Sequence, residues 1–146
     1  MGLLARADGA RLQACVAALG ALPSSTLLRG PELGLVMVRG RTGATGAPFN
    51  LGEVTVTRCS LRLSDGPAGG AVGHAYVSGR DVEKARIASV LDAMLAAGER
   101  THEIETTVLV PLEHAETEKR LARARKSAAT KVDFFTMVRS EHGGRD

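Results

Sequence analysis

Between residues 53 and 63 the chain reads EVTVTRCSLRL, and no other stretch restricts the fold so sharply. A period of two held over this length is a strand with two unlike faces. Thr55, Thr57, Cys59, Leu61 and Leu63 share one face; Val54, Val56, Arg58, Ser60 and Arg62 share the other, which passes from apolar to basic along its length. Turn chemistry follows in SDGPAGG, where Asp65-Gly66 is a hairpin signal, and AVGHAYVSG reads as the return strand. A hairpin in mid-chain argues for antiparallel pairing and against a doubly wound parallel sheet.

The flanks supply the rest. Asp8 can cap a first helix whose Leu12, Cys15, Val16 and Leu19 recur at helical spacing before Gly20 ends it. A short apolar piece, TLL, and a turn around Gly30-Pro31 precede LGLVMV, residues 33–38, which is near-continuously apolar as an interior strand would be. A helix is expected over 81–97, with Ile87, Val90, Leu91, Met94 and Leu95 as its buried stripe. TTVLVPL, residues 106–112, reads as a strand stopped near Pro111; a polar, basic helix runs over 113–130; and KVDFFTMVR is a closing strand. The expectation is an α+β fold in one domain over 1–146, with a largely antiparallel sheet of about four to five strands and about three helices. At 146 residues the chain folds without needing a disulfide or a metal, and with aromatics at 3% its core must be aliphatic.

RGRTGATGAPFNLGE, residues 39–53, is expected to be a loop. Its glycines let backbone N–H groups converge on an anion, with Arg39, Arg41, Thr42 and Thr45 as further donors suited to phosphate or phosphonate. It lacks the Gly-Lys-Ser/Thr ending of a P-loop, and a strand follows where that motif needs a helix. A hairpin connection that uses glycines for positive φ explains the same letters.

Arg58 and Arg62 on one strand face could extend the positive surface, or be solvated. His74, between Gly73 and Ala75, could act as acid, base or ligand, or be a structural residue. Cys15 and Cys59 have no partner at C-x-x-C spacing, so neither a zinc site nor an iron–sulfur cluster is expected from this chain alone. Lys119, Arg120, Arg123, Arg125 and Lys126 crowd a helix whose only large apolar residue is Leu121. A solvated face and a partner contact both fit it. Phe134 and Phe135, pointing to opposite sides of a terminal strand, and Arg139 after them, are read as a partner edge. The net charge of +3 is too small to argue for nucleic acid, and base-stacking aromatics are few. With charge entering by Arg6 there is no signal-peptide pattern, and there is no apolar run of membrane length, so a cytoplasmic location with reduced thiols is expected.

GLVMVRGRTGATGAPFNLGEVTVTRCSLRLSDG, then GHAYVSGRD, then VDFFTMVR together resemble the G subunit of the bacterial carbon–phosphorus lyase system, the PhnG family, over essentially the whole chain. Ser140 stands where that family usually has glycine, the hairpin carries a longer GPAGG, and the leading segment is short. The resemblance implies a role with subunits H, I and L in displacing adenine from MgATP by an alkylphosphonate. The product of that reaction is α-D-ribose 1-methylphosphonate 5-triphosphate. It also implies a core complex of G, H, I and J, with the nucleosidase chemistry in subunit I and radical cleavage in J. MgATP would then be a substrate of the complex, with no cofactor held by this chain alone. In isolation an apolar edge could pair with a second copy. An alternative within the resemblance is that His74 or Arg58 enters a site shared with subunit I.

Overall fold

The computed structural model describes residues 1–43, 45–65 and 69–130. In chain order the elements are α1 (Gly2–Arg6), α2 (Gly9–Leu19), β1 (Ser25–Arg41), β2 (Pro48–Leu63), β3 (Val72–Ser78), α3 (Val82–Ala96), α4 (Thr101–Ile104), a π-helical segment (Glu105–Leu109) and α5 (Val110–Ala129). The fold is α+β, and its described strands form one antiparallel sheet in the order β1-β2-β3.

Among the described residues three strands stand where about four to five were expected of the whole chain. TLL and LGLVMV are not separate strands: β1 runs through both, absorbing Gly30-Pro31 in register shifts between Leu27, Arg29 and Glu32. Among the described residues LGLVMV is also not interior, since β1 lies at the edge of the described sheet beside β2. TTVLVPL is helical. Ile104, Val108 and Leu112, one helical turn apart, are all buried and carry the chain straight through from α4 into α5. Thr106 tolerates this because its hydroxyl donates back to His102 O at 2.9 Å. Pro111 sits in the first turn of α5, directly after the widened π turn that offsets its missing N–H. The expected closing strand lies outside the described residues.

The expected helix starts hold. The Asp8 carboxylate accepts from Arg11 N at 3.2 Å and that of Asp81 from Lys84 N at 2.9 Å. α3 lies across β2 and β3 and closes the core: Cys59, Leu61, Leu63, Ala75 and Val77 of the sheet meet Ala88, Leu91 and Met94. Each leucine so buried contributes about 2 kcal/mol. The approach is close enough to require a glycine. A Cβ on Gly73 would lie 2.0 Å from Ser89 O and 2.6 Å from Ala93 N. The buried Ser89 hydroxyl lies 2.9 Å from Ala85 O and 3.2 Å from Cys59 O, within donating reach of both, and so stitches helix to strand.

Two cations lock the outer helices onto this core. Lys84 is buried and its Nζ donates to Ala5 O at 2.8 Å, tying α3 to the end of α1; burial holds its pKa below the ordinary value in spite of nearby Asp81 and Asp8. Arg100, held at φ 50°, donates to Leu19 O at 2.6 Å and Ala21 O at 3.2 Å beyond the end of α2. Its pairing with Glu103 at 2.7 Å raises the arginine's pKa and lowers the carboxylate's.

Candidate docking surface

β3 pairs with β2 only from Val56 to Arg62. Beyond that point β1 and β2 continue as an arm that is two-stranded among the described residues. Its paired residues reach from Leu35 opposite Thr55 to Arg41 opposite Pro48, about 20 Å at 3.3 Å per residue. The stretch expected to be a loop is therefore mostly strand. β1 ends at Arg41 and β2 begins at Pro48, so Arg39, Phe49 and Leu51 lie in strands.

The arm bears large apolar groups on both faces. Leu35 and Met37 occupy one, in line with Leu33 at its root; Val36 and Val54, a directly opposed pair, occupy the other. Leu35 is 64% exposed and Leu51, the extra residue in a register shift between Val38 and Arg39, is 66% exposed. Phe49 stands opposite Gly40, and its ring lies within 3.5 Å of where a Cβ on that glycine would be. The ring thereby covers the gap the glycine leaves in the ribbon. An isolated two-stranded ribbon is marginal in water, and this one keeps its side chains in water on both sides.

At the tip, alternation puts Arg39 and Arg41 on the face of Leu35 and Met37. Arg41 Nη1 donates to Gly46 O at 3.1 Å, and Gly46 N donates to Thr42 O at 3.1 Å. Gly43 takes φ 61°, and a Cβ on Gly46 would fall 2.1 Å from Thr42 O. These two glycines are thus accounted for by the turn itself. Arg39, Arg41, Thr42 and Thr45 are all exposed, so the tip presents cations and hydroxyls ahead of an apolar ribbon.

Arg58 and His74 lie elsewhere, on the sheet face turned away from α3. Arg58 Nε is 2.6 Å from Glu32 Oε1, and Arg29 pairs with the same carboxylate. A hydrogen bond that Arg58 donates to Tyr76, first, and then the charge of Glu32 keep the Arg58 pKa raised against the opposing effect of burial. His74 Nδ1 is 2.9 Å from the Ser60 hydroxyl, and His74 N donates to Asp92 at 3.1 Å, which caps the outer edge of β3. The structure brings Arg58, Arg62 and His74 to one face and keeps them apart from the arm tip; Asn50, opposite Arg39, is eight residues from Arg58, roughly 25 Å along the strand. Phe134, Phe135 and Arg139 lie outside the described residues. Among the described residues no group of three or more His, Cys, Asp and Glu could hold a metal, and no helix is long and apolar enough to cross a membrane.

Sequence reasoning found the tip and missed the apolar arm behind it. The available signal was LGLVMV itself: a strand apolar on both faces needs cover on both, and this chain's described residues do not give it. A cleft of about 290 Å³ between α2 and α5 is lined by Asp8, Arg11, Glu116 and Lys119 and includes neither the arm-tip residues nor Arg58 and His74.

Fold and surface together define an α+β protein with an exposed apolar arm built from its two longest strands. Comparison with known proteins agrees with the resemblance carried by the motifs. The chain belongs to the PhnG family of phosphonate metabolism proteins, whose family model matches residues 1–140. It is similar, at 43% identity over 141 residues covering 97% of this chain and 87% of the relative, to the alpha-D-ribose 1-methylphosphonate 5-triphosphate synthase subunit PhnG of Rhizobium meliloti (strain 1021).

Proposed function

We propose that this chain is an accessory subunit of a phosphonate-metabolising synthase complex. It works with subunits H, I and L when alkylphosphonate displaces adenine from MgATP to give α-D-ribose 1-methylphosphonate 5-triphosphate. Its standing partners are subunits I, H and J in the cytoplasm, and MgATP is a substrate of the complex. The observation that carries the reading is the arm, whose uncovered leucines, valines and methionine are placed for insertion between two walls of another protein. The similarity to a relative named as a subunit of that synthase supports it.

The arm docks into subunit I, with Arg39 and Arg41 turned toward the phosphate-bearing substrate channel. The test is the Arg39→Ala, Arg41→Ala double variant. It keeps the far-UV circular dichroism and melting point of the isolated chain, and it loses co-purification with subunit I or growth on methylphosphonate. Wild-type assembly and growth would remove this reading.

A second reading, in which His74 enters a shared site, draws on the 2.9 Å contact with Ser60 beside Arg58 and Arg62. Turnover by the assembled complex carrying His74→Ala separates the two: unchanged turnover favours the docking role alone.

A further inference from the structure

The sheet face turned away from α3 holds a cluster that the docking arm does not use, and strand register fixes its layout. Ser60 of β2 stands opposite Arg29 of β1 on one side and His74 of β3 on the other. Arg58 and Arg62 precede and follow it on the same face. Ser60 is thus the centre of a cross whose ends are three arginines and an imidazole. Its cross-strand neighbours are rooted about 5 Å away and its neighbours along the strand about 6.6 Å away. All four are long enough to close over the small hydroxyl between them.

Contacts within the cluster confirm the shared face and set its charge. Arg29 and Arg58 pair with the same Glu32 carboxylate, and His74 Nδ1 is 2.9 Å from the Ser60 hydroxyl. Glu32 is the one carboxylate among the described strand residues of this face, so it answers one of three guanidinium charges. Asp92 approaches from α3, but at the outer edge of β3, where it accepts from His74 N. Arg62 is exposed and has no ion-pair partner among the described residues. Arg58 is held in place by Tyr76 and Glu32, and a guanidinium with five N–H donors keeps some to spare.

We propose that Ser60 and the four groups around it bind a phosphorus oxyanion, the phosphate or phosphonate group of a small ligand. A carboxylate is planar and has two oxygens, which a single guanidinium fork satisfies. Donors that close from four sides suit a tetrahedral group with oxygens on several sides, and its second negative charge matches the surplus that Glu32 leaves. A nucleic-acid strand would need such clusters repeated along the face. The rows toward the arm carry Gly34, Val36, Val54 and Val56 in their place.

The inference stands on the sheet register and holds whether or not the arm docks. It gives the residues of the second reading above a binding task. The full chain is therefore tested alone, by two-dimensional NMR titration with inorganic phosphate, methylphosphonate and inorganic triphosphate. The expected result is saturable shifts at Ser60, His74 and Arg62. Tightest binding of triphosphate assigns the site to a polyphosphate chain; equal binding of phosphate and methylphosphonate assigns it to a single phosphoryl or phosphonyl group. Arg62→Gln should weaken binding by about tenfold, the cost of one charge-assisted contact. Ser60→Leu keeps every charge but fills the centre, and should abolish binding while the melting point holds. Arg120→Gln with Arg123→Gln removes two cations from exposed α5 and should change affinity by less than about twofold. No saturable shift at the cluster, wild-type binding by Ser60→Leu, or equal losses in the α5 and Arg62 variants would each overturn the proposal. Failure to co-purify with subunit I bears on the docking arm instead, so the two failures are distinct.

Discussion

Leu91 and Leu35 are the same side chain in opposite circumstances: one is 0% exposed beneath the sheet, the other 64% exposed on the arm. The two leucines stand for two regions with different demands. In the body, α3 covers β2 and β3, and α1, α2 and α5 close around it, so the apolar residues that drive folding are also those that hold it together. In the arm β1 and β2 pair through one register shift, and most of the large apolar side chains stay exposed. The body is where this chain folds, and the arm is where it has surface left to offer.

The largest effects belong to the body. Gly73→Ala would drive a methyl into Ser89 O and Ala93 N, backbone atoms that cannot turn aside, so helix and sheet must separate. The expected loss is about 3 kcal/mol or more, read by urea unfolding of the isolated chain. Leu91→Ala should cost about 3 kcal/mol by transfer and cavity together. If either variant melted like the wild type, the body would not be the autonomous part and the contrast would fail.

Lys84 sharpens the contrast through pH, because it is a buried cation of the body. Burial lowers its pKa in the folded protein, with Asp81 and Asp8 opposing that shift and Lys119 adding to it. The unfolded chain keeps the proton up to the ordinary value of 10.5, so below that pH, and above the folded value, it binds more protons than the native state. Stability carried by this group therefore rises with pH across that window. Lys84→Met should flatten the rise relative to wild type in alkaline melts, whereas Arg41→Met at the exposed arm tip should leave it unchanged. An identical alkaline slope in wild type and Lys84→Met would assign the rise to other groups.

Much of the body was legible in the sequence, for physical reasons that the arm does not share. The alternation of EVTVTRCSLRL fixed which face of β2 enters the core, and Asp8 and Asp81 marked helix starts, because caps and burial act locally. TTVLVPL misled because Thr and Val favour strands by a few tenths of a kcal/mol, less than the burial of Ile104, Val108 and Leu112 along one helical face. The arm was hidden for the reverse reason. Gly40, Pro48, Asn50 and Gly52 are poor strand formers, and a ladder held by backbone pairing leaves little trace in side-chain pattern. Of the candidate site, the cations at the tip could be read from their letters. The pairing of Arg58 with Glu32 and Tyr76 could not, since it depends on a register set by irregular steps near Gly30-Pro31.

Two glycines then set the regions directly against each other. A Cβ at Gly46 would lie 2.1 Å from Thr42 O, as severe a clash as the one at Gly73, but Gly46 closes a turn at the far end of the arm. Gly46→Ala should lower the stability of the isolated chain by under about 1 kcal/mol, because the turn can reshape without disturbing the core. Its damage should appear in association with subunit I. A large fall in melting temperature would mean that the arm folds as part of the body.

Leu35→Ser carries the smallest expected effect and tests the contrast most finely. Leu35 pairs with Thr55 at the base of the arm, on an edge strand with water beside it. Truncating it removes little buried area, so the isolated chain should melt within about 0.5 kcal/mol of wild type, the range for surface substitutions. If the arm is a docking element, the same change should weaken binding of subunit I by roughly tenfold, which is the cost of one lost apolar anchor in an interface. A variant that is destabilised alone would show that Leu35 is already buried in a self-association of the free chain. A variant silent in both assays would take the arm's apolar face out of the interface and leave its arginines to carry the docking.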